Sequence, residues 1–127
     1  MDSPNIQIRS FDFAVRVVKL YRAVARTQEE GRIIARQLLR AGTSIGANVE
    51  EAQGAQSKAD FITKMSIAHK EAHETHYWLK LLDAAGVLPS ARLQPLMEES
   101  QSIRKILARI LVTAKQRRKQ PRGQDAI

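Results

Sequence analysis

Apolar residues recur at helical spacing in four stretches of the chain, the longest running from Ser57 to Gly86. There Phe61, Met65, Ala68, Ala72, Thr75, Leu79 and Leu82 follow one another at alternating steps of four and three. That spacing keeps side chains on one stripe of an α-helix and fits a strand poorly. Ser57 is placed to cap the helix, and Asp60 sits near the positive end of its dipole. Gly86 can end it in a left-handed turn, and Pro89 discourages continuation. Such a rod is about 40 Å long at about 1.5 Å per residue, so the rest of the chain must pack along it.

The other stretches supply its neighbours. Residues 1–10 read as an N-terminal arm. Ser10 or Asp12 then caps a first helix reaching Ala25, with Ala14, Val17, Val18, Tyr21, Val24 and Ala25 as its stripe. Thr27 to Glu30 has the capping-box form Thr-x-x-Glu. It predicts a second helix with Ile34, Leu38, Ala41, Ile45, Asn48 and Ala52 along its seam. Gly42, Gly46 and Gly54 each weaken a helix by about 1 kcal/mol relative to Ala, a tolerable cost where small residues let another backbone come close. The segment from Gly42 to Gly46 has neither the lysine nor the preceding strand of a phosphate-binding loop. A short turn at Pro89 sends a fourth helix back antiparallel. Ser90, or Gln94 with Pro95, caps it, and Leu93, Leu96, Ser100, Ile103, Leu107, Ile110 and Ala114 form its seam. The pattern predicts an all-α, antiparallel up-down four-helix bundle over residues 11–116, with a flexible basic tail over 117–127.

The long helix is apolar on a second side. At about 100° per residue, Ile67, Tyr77, Trp78 and Leu81 fall towards its back. A helix apolar on two sides is buried on two sides. In a chain of 127 residues the second burial points to another subunit, so these four residues are the expected oligomer interface. A loop or terminus over Trp78 is the alternative.

Composition narrows the chemistry. The absence of cysteine excludes disulfides, thiolate zinc sites and cysteine nucleophiles. No signal-peptide pattern opens the chain, and no apolar run nears the ~20 residues of a membrane span. The expectation is a cytoplasmic chain with no membrane association. Of the net charge of +8, +7 falls in residues 101–127, eight cations against Asp125 alone. Arg104, Lys105, Arg109, Lys115, Arg117, Arg118 and Lys119 are therefore the candidate phosphate contacts; a solubilising tail is the competing reading. No aromatic residue interleaves with these cations in sequence, which argues against base stacking.

Other polar positions read as structural. Asn48 on the seam, with Glu51 at its edge, would fix register between helices or subunits. Lys70 and Glu74 form an i, i+4 pair, and Glu71, Glu74 and Trp78 share a side. No nucleophile accompanies these carboxylates, so no enzymatic activity and no cofactor is expected. His69, His73 and His76 share one flank of the long helix. Two of them could take up a transition metal, but the third lies about 10 Å along the axis from the first, and no resident metal is expected.

Two segments resemble a known family. The first is Ser44-Ile45-x-Ala47-Asn48-x-x-Glu51. The second is Lys70-Glu71-x-x-Glu74-Thr75-x-Tyr77-Trp78-Leu79. Both are similar to the four-helix-bundle proteins encoded in ribosomal RNA intervening sequences, the S23-like family, over roughly residues 10–115. The resemblance implies an up-down bundle assembled as a ring-shaped homopentamer, in a family of largely unknown function. It also implies kinship with the accessory variability protein of diversity-generating retroelements, a basic bundle that binds nucleic acid and partners a reverse transcriptase. The histidines of the long helix have no counterpart in the family motif. Together these readings predict a non-enzymatic oligomer that offers a basic surface to RNA or DNA, or alternatively a protein-interaction scaffold such as a reverse-transcriptase accessory.

Overall fold

The computed structural model describes residues 5–119, the side chains of Arg118 and Lys119 excepted. The Ser57–Gly86 stretch forms the rod that its spacing predicts. Helix α3 runs Lys58–Ala84, the Ser57 hydroxyl accepts the Asp60 amide at 3.0 Å, and Gly86 follows with φ +72°. Met65, Ala68, Ala72, Thr75, Leu79 and Leu82 are buried. At the first turn the inward position belongs to Ile62, and Phe61 is only half-buried against the core.

Helix α1 runs Ile6–Val24 and so begins before Ser10 or Asp12. Asn5 is the cap, its side-chain oxygen accepting the Gln7 and Ile8 amides at 3.0 and 3.3 Å. Ser10 is instead buried inside the helix, its hydroxyl donating to the Gln7 carbonyl. The inward stripe is Ile6, Ser10, Phe13, Val17, Leu20 and Val24. Ala14, Val18 and Tyr21, expected on that stripe, lie half-buried at its flank. Helix α1 is apolar on both sides, and periodicity alone does not say which side faces in.

Helix α2 runs Glu29–Gln53. The expected capping box is not made: Gln28 holds the cap position without a side-chain bond, and the Thr27 hydroxyl donates to the Val24 carbonyl at the end of α1. Ala35, Leu38, Ala41, Ile45, Val49 and Ala52 face inward, with Ile34 and Asn48 at the seam's margin. The glycines mark the α1–α2 crossing. A Cβ on Gly42 would come within 2.9 Å of Val17, and one on Gly46 within 3.2 Å of the Ser10 carbonyl, so these two helices approach at backbone contact.

Helix α4 runs Ser90–Lys119, with Pro95 inside its second turn rather than at its first position. It continues past the expected end near residue 116. Leu111 is buried where Ile110 was expected; Ile110 is half-buried beside it. Helix α3 packs between α2 and α4, and α1 packs on α2 and, less extensively, on α4. Helices α1 and α3 therefore stand on one diagonal of an antiparallel four-helix bundle. No strand occurs among the described residues, and none of their helices is long and apolar enough to cross a membrane.

The helices end at different levels. Arg9, in the first turn of α1, pairs with Glu99 of α4 through bonds of 3.0 and 2.6 Å. From Glu99, α4 runs on to Lys119, about 30 Å at about 1.5 Å per residue. Its last turns thus extend past the start of α1 and lie over the beginning of α3.

Candidate nucleic-acid interface

That overhang organises the basic end. Lys58 and Phe61 from the first turn of α3 line a groove of about 340 Å³ together with Arg109, Ile110, Thr113 and Arg117 of α4. Phe61 and Ile110 form the floor, and three cations stand at the rim. A second groove, of about 320 Å³, shares Lys58 and Phe61 and is otherwise lined by the α2–α3 turn, including Gln53, Gln56 and Ser57. Among the described residues, neither groove is lined by an aspartate or glutamate.

The candidate phosphate contacts divide. Arg109 and Arg117 share the groove, and Lys105 and Lys115 are exposed elsewhere on α4. None of the four has an ion-pair partner among the described residues. Arg104 is half-buried and committed: its Nε and Nη2 donate to Gln101 Oε1 at 3.0 and 2.8 Å. The side chains of Arg118 and Lys119 lie outside the described residues. Sequence reasoning missed Lys58 and Phe61. The signal was present, since Phe61 was on the predicted seam, but only antiparallel packing brings it beside cations about fifty residues away. No aromatic interleaves with the cations along the sequence; folding brings Phe61 beside Arg109 and Arg117.

The structural polar residues also sort out. Asn48 turns its amide back on its own helix, donating to the Ser44 carbonyl and hydroxyl at 2.9 and 3.1 Å. Among the described residues it makes no hydrogen bond to another helix. Glu51 does bridge helices, accepting from Lys64 of α3 at 2.8 Å, and this pairing holds the lysine above its ordinary pKa. Glu74 does not pair with Lys70. It pairs, as does Glu71, with Arg40 of α2, and it also accepts the Trp78 indole N–H at 2.9 Å. Lys70 is exposed, with no ion pair among the described residues.

His76 sits at the α3–α4 seam, and His73 is exposed. Ser100 Oγ donates to the Met97 carbonyl and accepts from His76 Nδ1 at 3.3 Å; Gln101 Nε2 donates to His76 Nε2 at 3.2 Å. This arrangement requires a neutral imidazole. Burial, then Lys80 and Arg104, holds the His76 pKa below its ordinary value. His69 is lowered too, by burial first and then by His73, Arg104 and Lys115. Its Nε2 is buried without a partner among the described residues, and its ring meets His73 edge-on at 5.0 Å between centroids. Among the described residues no group of three or more His, Asp or Glu side chains converges as a metal site.

Of the expected oligomer interface, Tyr77 is 52% exposed and Ile67 37%, while Trp78 and Leu81 are half-buried. A second apolar face went unforeseen. On α1, Phe11 is 66% exposed, and Ile8 (58%) and Val15 (37%) share its side, opposite the core stripe.

An all-helical bundle with a basic, grooved end narrows the class, and comparison with known proteins supplies the family. Residues 5–109 match the 23S rRNA-intervening sequence protein family, and the chain belongs to it. A solved structure from Bacteroides thetaiotaomicron VPI-5482, a protein of unknown function from the S23 ribosomal protein family, is similar at 42% identity. It matches with a TM-score of 0.79 over 84% of this chain and 97% of its own. No curated protein matches the chain.

Proposed function

We propose that this protein is a non-enzymatic, self-associating bundle of the cytoplasm that binds RNA or DNA through the basic end of α4. The observation that carries the reading is the set of cations there, Lys58, Lys105, Arg109 and Arg117, with no acidic partner among the described residues. Three cations elsewhere in the bundle are paired: Arg9 with Glu99, Arg40 with Glu71 and Glu74, Lys64 with Glu51. Unpaired positive charge concentrated at one end attracts polyanions.

Self-association would multiply that charge into a multivalent surface. The apolar faces of α1 and α3 lie on diagonal helices and so point to opposite sides of the bundle. Two different patches on opposite sides suit head-to-tail contact, which closes a ring when the rotation allows. The family resemblance suggests five copies.

The test is nucleic-acid binding across a salt series. Affinity should fall steeply between about 50 and 200 mM salt, and Arg109→Ala with Arg117→Ala should weaken it. Absent or salt-insensitive binding rejects the reading. The exposed α1 face also favours a second reading, a scaffold for a foreign protein such as a reverse transcriptase. Pure protein that stays a single chain at micromolar concentration would favour that scaffold over a ring.

A further inference from the structure

The groove between the start of α3 and the end of α4 has more to it than charge. A duplex presents phosphates and keeps its base faces stacked, so its recognition needs cations but no apolar floor. Here the floor is built and half-open. Phe61 rests on the core with its other side towards the groove, and Ile110 continues the surface. Among the described residues, nothing from α1 lines this groove.

Around the floor stand Lys58, Arg109 and Arg117, without acidic neighbours in the lining among the described residues. On the other side of Phe61 the second groove offers hydrogen-bonding groups. Gln53 uses its amide N–H on the Val49 carbonyl, leaving its oxygen as an acceptor. Ser57 Oγ accepts the Asp60 amide, leaving its proton to donate. An aromatic platform, cations placed to hold a backbone, and polar groups beside the platform together match an unstacked nucleotide. A groove of about 340 Å³ is also of the size that small-molecule sites occupy.

We propose that this groove holds one unstacked base of a single-stranded nucleic acid, its ring against Phe61 and its flanking phosphates on Lys58, Arg109 and Arg117. This rests on the nucleic-acid reading above and adds to it a preference for single strands. Base–aromatic stacking is tolerant of sequence, so the preference is for strandedness rather than for a motif.

The test uses the full chain and two labelled probes, a short unstructured single strand and a blunt duplex of the same length, compared by fluorescence anisotropy at one salt concentration. Phe61→Leu keeps an apolar side chain on the core and removes the aromatic face. It should weaken single-strand binding by about 10-fold and leave duplex binding unchanged. Phe61→Tyr should restore single-strand binding, and Arg109→Ala should weaken both. Urea unfolding of each variant establishes that the bundle remains folded, and Phe61→Met, which also lacks the aromatic face, serves if Phe61→Leu does not fold. Equal loss on both probes, or no loss on the single strand, overturns the groove proposal while the electrostatic reading stands. Failure of the unaltered protein to bind either probe overturns both. A change in oligomer size on Phe61→Leu, with binding intact, would mean that a second copy of this chain fills the groove, and would also overturn the proposal.

Discussion

Arg40 should hold α2 to α3 through two carboxylates, and its removal is the most direct test of the bundle's polar packing. Its Nη1 lies 3.2 Å from Glu71, its Nη2 bonds Glu74, and Glu74 in turn accepts the indole of Trp78. Arg40→Met keeps much of the apolar stem and removes the charge. Two carboxylates one turn apart then lose their shared cation. Exposed ion pairs are worth about 0.2–1 kcal/mol, and hydrogen bonds to charged groups about 1.5–3 kcal/mol. Arg40 is 50% exposed but Glu71 only 15%, so the loss should fall between, at about 1–2 kcal/mol. Urea unfolding reads it well because Trp78 is the only tryptophan. With a slope of about 2 kcal/mol per molar, the midpoint should drop by about 0.5–1 M. Lys70→Ala is the control. Sequence spacing pairs Lys70 with Glu74, and the structure does not, so its effect should stay within about 0.5 kcal/mol. Glu74→Gln combined with Arg40→Met should show coupling, since both remove one interaction. An unchanged midpoint for Arg40→Met, or an equal drop for Lys70→Ala, would refute this account.

Three further outcomes follow from other parts of the fold. Gly46→Ala pushes a methyl to within 3.2 Å of the Ser10 carbonyl. Overpacking of about 1–3 kcal/mol should outweigh a helix-propensity gain of about 1 kcal/mol, lowering the thermal midpoint. His69 and His76 have folded pKa values held below the ordinary 6.5, chiefly by burial. The unfolded chain therefore binds more protons, so stability is full above about pH 7 and falls as pH drops through 6.5 towards the folded values. Urea midpoints at neutral and mildly acidic pH should show this, and His76→Gln should flatten part of the slope. Phe11→Ser alters an exposed side chain and should leave monomer stability within about 0.5 kcal/mol. If α1 carries an oligomer contact, light scattering should report a smaller species; an unchanged mass places the contact elsewhere.

Much of the α3 argument was legible in the residues because helix signals are local. A seam at steps of four and three, a serine cap and a terminal glycine act within a few residues of one another, and Ser57, Gly86 and the stripe from Met65 to Leu82 stand where their spacing puts them. Caps that compete with a neighbouring helix were harder. The Thr27 hydroxyl has both the end of α1 and the start of α2 in reach and goes to Val24.

The sequence alone determined four amphipathic helices, their order, an antiparallel bundle and a concentration of positive charge in the last quarter of the chain. Which side of α1 turns inward required the tertiary structure, because both sides are apolar and the close approaches of Val17 to Gly42 and Ser10 to Gly46 are made between helices. The partner of Glu74 was decided there too, since Arg40 arrives from another helix. So was the placing of Phe61 among the cations of α4. Contacts between residues far apart in sequence depend on helix lengths and levels, and no local spacing encodes where α1 starts relative to the end of α4.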